Sequence, residues 1–136
     1  YPVQPNGLAT DLPLVVLVNE GTASAAEIVA GALQDHRRGL VIGERTFGTA
    51  TVLSTFRLRD GSALLLGTAQ WLTPSGRSLR RQGIQPDEVV PLGPNAEPLT
   101  PRQLRAMPAT AVLAFGDAQF NRAVERLQAQ VTTPTR

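Results

Sequence analysis

The chain contains no cysteine, no lysine and a single histidine, His36; all 13 of its basic residues are arginine. Absence of cysteine removes disulfides, thiolate metal sites and thiol nucleophiles together, and leaves the redox compartment open. Absence of lysine removes any amine that could be tuned into a general base, a task closed to arginine because its pKa is too high. Aromatic residues make up only 4%, and no apolar run approaches the roughly 20 residues of a helical membrane span. The opening "YPVQPNGLATDLP" has neither a charged n-region nor an apolar h-region, so no signal peptide is expected in this stretch. No plausible cluster of metal ligands stands out, and no metal or organic cofactor is expected. Net charge is only +2. The one basic cluster, "GRSLRRQGI" (Gly76 to Ile84), has no aromatic platform beside it and reads as a solvated turn, not a nucleic-acid surface.

What is present is a pattern of alternating strand and helix signals. "LPLVVLVN" (Leu12 to Asn19) is a Val-rich apolar run of the kind buried on both faces of a parallel sheet. From Ser24 the period becomes helical: Ala25, Ile28, Val29, Ala32, Leu33 and His36 share one stripe, and Gly39 is expected to stop the helix after Arg37 and Arg38. "LVIGE" (Leu40 to Glu44) reads as a second buried strand, completing a βαβ unit. Asp60-Gly61 then lies between two β-rich runs, a strong hairpin signal. The first arm alternates Val52, Ser54, Phe56 and Leu58 with Leu53, Thr55, Arg57 and Arg59. "TPSG" is a turn, and Pro86 keeps "GIQPDEVVPL" extended. Residues 93–101 are Pro-rich linker. A short helix is expected at Pro101 to Ala106, and a longer one over Ala111 to Gln130 with Leu113, Phe120, Val124, Leu127 and Val131 in a narrow stripe. The tail "TTPTR" is expected to fray.

The residue that invites a functional reading is Ser24, at the mouth of the first helix. Ser24-Ala-Ala-Glu27 is also a capping box, which accounts for a serine there without any chemistry. A catalytic reading requires a nucleophile, a base within hydrogen-bond reach and oxyanion donors. The Ala25 N–H, at the positive end of the helix dipole, suits the last of these. The base is missing. His36 is twelve residues further along the same helix, about 18 Å away at 1.5 Å per residue. Glu27 is near enough but reads as an exposed carboxylate, a poor base for a hydroxyl.

Taken together, "LPLVVLVNEGTASAAEIVAGALQDHRRGLVIGERTFGTATV" and "DGSALLLGTAQWLTPSGRSLRRQGIQPDEVV" resemble the carboxyl-terminal processing (tail-specific) serine peptidases. The likeness runs from about Leu12 to Val90. It rests on an "N-x-G-x-A-S-A-x-E-I" turn, a "G-x-x-T-F-G" turn and "L-T-P-S-G-R…G-I-x-P-D", in that order. It implies an α/β fold with a crotonase-like (ClpP/crotonase-type) βαβ core, followed here by a β-hairpin and C-terminal helices. It also implies Ser24 as nucleophile and a serine–lysine dyad. The family lysine falls on Thr49 and the glutamine that orients it on Leu53, so both supports differ in this chain. A general drift from Lys to Arg does not explain Thr at position 49.

The resemblance further implies a polypeptide substrate or a peptide C-terminus as partner, and a periplasmic, cell-envelope or extracellular location in a bacterium. Residues 1–92 are expected to be the C-terminal part of a peptidase-like catalytic domain, the family's PDZ domain and "R-x-N-x-G-G" segment lying outside this chain. Residues 93–136 are expected to be a linker and helical extension that packs on the sheet or forms a homo-oligomer. The competing reading is an inactive pseudo-peptidase that binds peptide C-termini without cutting them.

Overall fold

The computed structural model describes residue 7 and residues 9–132. The opening six residues, Leu8 and the tail from Thr133 onward lie outside the described residues. In chain order the elements are β1 (Val15–Val18), α1 (Ala25–Asp35), β2 (Leu40–Gly43), β3 (Thr51–Arg57), β4 (Ala63–Gln70), β5 (Glu88–Val89), α2 (Pro101–Ala106), α3 (Ala109–Ala114) and α4 (Ala118–Thr132).

β1 and β2 run parallel, Val15 opposite Leu40 and Val18 opposite Gly43, with α1 as the crossover; β5 adds in parallel to the other side of β2. The βαβ unit read from the sequence is therefore present. Its first strand departs from expectation. β2 is central, with Val41 and Ile42 fully buried, whereas β1 is the edge of this sheet and leaves Leu17 40% exposed. The apolar run is consequently not covered on both faces among the described residues. Leu12 stands outside the strand and is exposed.

The face that α1 buries also differs from the expected stripe. Glu27, Ala30 and Gly31 are its buried residues, while Val29 is 58% exposed. Gly31 explains the choice of face. A Cβ there would come within 2.9 Å of both Ile84 Cδ1 and Thr73 Cγ2, so any larger residue would force those side chains to shift from their present packing on the helix. Val18, Ala30, Val41, Ala50, Leu79 and Ile84 form the core at that contact. The helix ends at Asp35, four residues before Gly39. Arg37 takes the left-handed conformation (φ 52) and Arg38 N–H donates to Leu33 O at 2.9 Å, a Schellman ending made without glycine. His36, placed by its spacing on the apolar stripe, is exposed at the C-cap.

β3 and β4 form the predicted antiparallel hairpin, paired from Thr51–Gln70 to Arg57–Ala63, with an extra residue on β4 opposite Val52 and Leu53. Gly61 N–H donates to Leu58 O and Leu58 N–H to Ser62 O, so the loop has three residues and Gly61 supplies the positive φ (86°). The extended "GIQPDEVVPL" segment contributes β5. α2 falls where the sequence placed it, opened by a capping box between Thr100 and Gln103.

The long helix expected over Ala111–Gln130 is two helices. Gly116 (φ 88) breaks the chain, and Asp117 restarts it by accepting from Phe120 N–H at 2.8 Å. Leu113 and Val131, the ends of the expected stripe, are exposed; Gln119 and Ala123 are the buried residues of α4. α4 packs on β1 and β2. Gln119 Nε2 donates to Val90 O at 2.9 Å, and Arg122 and Arg126 both pair with Glu88. Among the described residues no helix is long and apolar enough to cross a membrane.

Candidate active site

β1 ends in a compact turn. Asn19 N–H donates to Thr22 Oγ1 at 3.0 Å, Thr22 N–H returns to Asn19 O at 2.9 Å, and Gly21 N–H reaches Asn19 Oδ1 at 3.0 Å. Asn and Thr favour such turns because their short side chains substitute for main-chain acceptors. The turn delivers Ser24 to the N-terminus of α1 at φ 55 and ψ −122. An L-residue with a side chain rarely adopts that conformation, which costs on the order of 1–3 kcal/mol unless its surroundings impose it.

Three sets of contacts impose it. Ser24 N–H donates to Glu27 Oε2 at 3.0 Å. The Ser24 carbonyl accepts from Glu27 N–H at 3.0 Å and Ile28 N–H at 3.2 Å. Just upstream, the Thr22 carbonyl accepts from Phe47 N–H at 3.0 Å. Ser24 and Glu27 are thus arranged as a capping box, the Ser24 side chain turned toward the Glu27 N–H and the Glu27 carboxylate bonded to the Ser24 N–H. The Ala25 N–H has no acceptor among the described residues.

Glu27 is the centre of the arrangement, and its environment corrects the reading of it as an exposed carboxylate. It is fully buried. Oε1 accepts from the Thr46 hydroxyl and from Gly48 N–H at 2.7 Å; Oε2 accepts from Thr49 N–H at 2.8 Å as well as from Ser24. No cation is among these partners, and the first turn of α1 adds the favourable end of the helix dipole. With both oxygens occupied by donors, and none of those donors the Ser24 hydroxyl, the carboxylate is not placed to take the Ser24 proton.

The turn carrying Thr46, Gly48 and Thr49 is held from the other side by the 79–84 segment. Thr46 Oγ1 accepts from Ile84 N–H at 2.7 Å, Thr46 N–H donates to Ile84 O at 3.1 Å, and Gly48 O accepts from Arg81 N–H at 2.9 Å. Gly48 (φ 92) is required here, since a Cβ would lie 3.0 Å from Gly83 N.

The structure therefore brings three of the four sequence-derived site residues together. Ser24, Ala25 and Thr49 share the two facing turns, and Ser24 and Thr49 donate to the same carboxylate oxygen. Leu53 is not in the network: it lies within β3 opposite Gly67, 56% exposed. His36 is at the far end of α1, as its spacing required. Sequence reasoning missed Glu27 as the link between the turns, and Thr46 altogether. Both residues stand inside the motifs quoted above, but nothing in those motifs says that one bonds the other. Among the described residues no group of three or more His, Asp or Glu side chains could hold a metal ion.

A serine in a strained strand-to-helix turn, with an unpartnered N–H immediately after it, supplies two of the three parts a serine-hydrolase site requires; no described residue is placed as the third, a base. The lineage is more specific. Residues 3–90 match the model of peptidase family S41, and the chain belongs to that family. It is 47% identical over 112 residues to the carboxyl-terminal-processing protease of Synechocystis sp., covering 81% of this chain and 26% of that protein. It is 49% identical over 86 residues to carboxyl-terminal-processing peptidase 2, chloroplastic, of Arabidopsis thaliana, covering 63% and 17%. The chain thus spans a quarter or less of the length of the second relative and about a quarter of the first. Among solved structures it is similar to a photosystem II D1 C-terminal processing protease (TM-score 0.58, 46% identity, 63% of this chain and 22% of that one). The tricorn protease, at 20% identity, shares the fold over 89% of this chain and 11% of its own (TM-score 0.65).

Proposed function

We propose that this chain carries the nucleophile of a serine peptidase of the carboxyl-terminal processing class, hydrolysing peptide bonds near protein C-termini. The observation that carries the reading is Ser24, fixed in a strained conformation at the mouth of α1 and exposed there, with the Ala25 N–H unpartnered beside it. In the reaction Ser24 Oγ attacks the scissile carbonyl carbon while its proton passes to a base. The developing oxyanion is met by the Ala25 N–H. The C–N bond breaks as the amine takes a proton, and water then releases the acyl group from Ser24. The scaffold is a crotonase-like βαβ core in residues 1–92, to which residues 93–136 add a linker and helices.

No described residue is placed as a base for the Ser24 hydroxyl, so this reading draws the base from a further segment of the protein or from another chain. Thr49 presents a hydroxyl where the family resemblance places lysine, and a hydroxyl does no more than relay a proton. Leu53 offers nothing to orient an amine. The substrate is a polypeptide, and the setting an exported or envelope compartment of a bacterium, in keeping with bacterial and chloroplastic relatives.

The test uses the parent protein with its remaining segments, incubated with an unstructured polypeptide bearing an apolar C-terminus and followed by mass spectrometry. Cleavage that vanishes in Ser24→Ala is expected. A Thr49→Lys/Leu53→Gln double variant is expected to cleave faster, by about 10²–10⁴-fold if it restores a base. Absence of cleavage in every form, with binding of C-terminal peptides retained, would replace this reading with that of a pseudo-peptidase.

A further inference from the structure

We infer that Glu27 is the positioning residue of the Ser24 site, a buried carboxylate that fixes the nucleophile turn and the base-position turn to each other through main-chain N–H groups. The inference rests on Ser24 being the nucleophile for its functional meaning, but not for its test. Four donors converge on Glu27, three of them main-chain N–H groups of Ser24, Gly48 and Thr49. The fourth, the Thr46 hydroxyl, itself accepts from Ile84 N–H. A carboxylate is the side chain that fits, since four donors and no acceptor face it. Because Oε2 takes both Ser24 N–H and Thr49 N–H, displacement of one turn moves the other.

The arrangement distinguishes two substitutions. In Glu27→Gln one oxygen remains. The amide settles with that oxygen toward Ser24 and Thr49, because Thr46 can rotate its hydroxyl to accept, which leaves only the Gly48 N–H facing an NH₂ group. In Glu27→Ala all three N–H groups lose their acceptor.

Amide hydrogen exchange on this chain tests the assignment without reference to hydrolysis. Glu27→Gln is expected to accelerate exchange at Gly48 by on the order of 10–100-fold, the value of a lost hydrogen bond to a charged acceptor. Ser24 and Thr49 should remain slow. Glu27→Ala is expected to accelerate all three, while Val41 and Asp87 amides, which bond to Asp87 Oδ2 and Val41 O in the sheet, keep their rates. In the parent enzyme both variants are expected to lower kcat with little change in KM. Uniform acceleration across all amides would show that Glu27 merely stabilises the fold. Unchanged rates at all three sites would show that it holds neither turn, and either result overturns the inference. Since Glu27→Gln retains most donors' partners, it keeps the test decisive if Glu27→Ala does not fold. Failure of the peptidase reading would appear separately, as no cleavage by the unsubstituted protein despite the expected exchange pattern.

Discussion

Replacing Gly83 with alanine should be far more costly than the same change at Gly76, although both glycines have positive φ (63° and 82°). Each pays about 1–2 kcal/mol for placing an L-residue in left-handed backbone. At Gly76 that is the whole cost, since nothing lies within 4 Å of the added Cβ. At Gly83 the Cβ would fall on the Thr46 carbonyl oxygen and 2.8 Å from Thr46 Oγ1. Main chain must then move, and Thr46 is joined to Ile84 by two hydrogen bonds, N–H to O at 3.1 Å and Oγ1 from N–H at 2.7 Å. At about 1 kcal/mol each, their loss brings the Gly83→Ala cost to roughly 3–4 kcal/mol. The gap between the variants is about 2 kcal/mol, or roughly 5–10 °C in Tm for a chain of this size. Urea and thermal unfolding followed by the single tryptophan, Trp71, would measure it. Equal midpoints for the two alanine variants would refute the claim that the 79–84 segment is locked against the Thr46 turn.

Two further outcomes follow from named contacts. Burial pushes the Asp35 carboxyl up, but hydrogen bonds from the Thr73 and Ser75 hydroxyls, Ser75 N–H and Arg77 outweigh it and hold the group well below the usual carboxylate range. A depressed folded-state pKa contributes stability above the unfolded value and loses it as pH falls. Asp35→Asn should therefore destabilise the chain most at neutral pH, with the gap narrowing below about pH 4; a pH-independent gap in urea midpoints would contradict this. Asp117 is buried and accepts from Phe120 N–H and Leu99 N–H, both at 2.8 Å. Asp117→Ala removes a helix cap and strands the Leu99 N–H, an expected loss of about 2–4 kcal/mol, with Asp117→Asn roughly half as costly. A loss under 1 kcal/mol in thermal unfolding would mean that water replaces the carboxylate.

The parts of the fold written in the sequence are those set by local chemistry. The Asp60-Gly61 hairpin, the short helix at Pro101–Ala106 and the change of period at Ser24 depend on neighbouring residues, and all appear where expected. The misreadings involve competition with tertiary structure. Ala25, Val29 and Leu33 make a plausible apolar stripe, yet α1 is oriented by Gly31, whose missing side chain admits Ile84 and Thr73 from more than 40 residues away. Gly116 was legible as a break only against the continuous pattern around it, because helical spacing resumes in phase beyond it. Glu27 was hidden for a related reason. A carboxylate three residues after a cap serine is sufficiently explained by capping, and nothing local announces three further donors from residues 46–49.

Those donors also show what the clamp asks of each position. Thr49 enters the network through its N–H, as do Gly48 and Ser24; no side-chain contact of Thr49 takes part in the clamp. Main-chain hydrogen bonds do not read side-chain identity, so a Thr49→Lys substitution is expected to leave every contact to Glu27 in place. The opposite holds for Gly48 and Thr46, whose backbone angle and hydroxyl the arrangement uses directly. The clamp on the two turns is thus indifferent to the side chain at position 49, and a Thr49→Lys variant should keep the slow exchange of the amides of residues 24, 48 and 49.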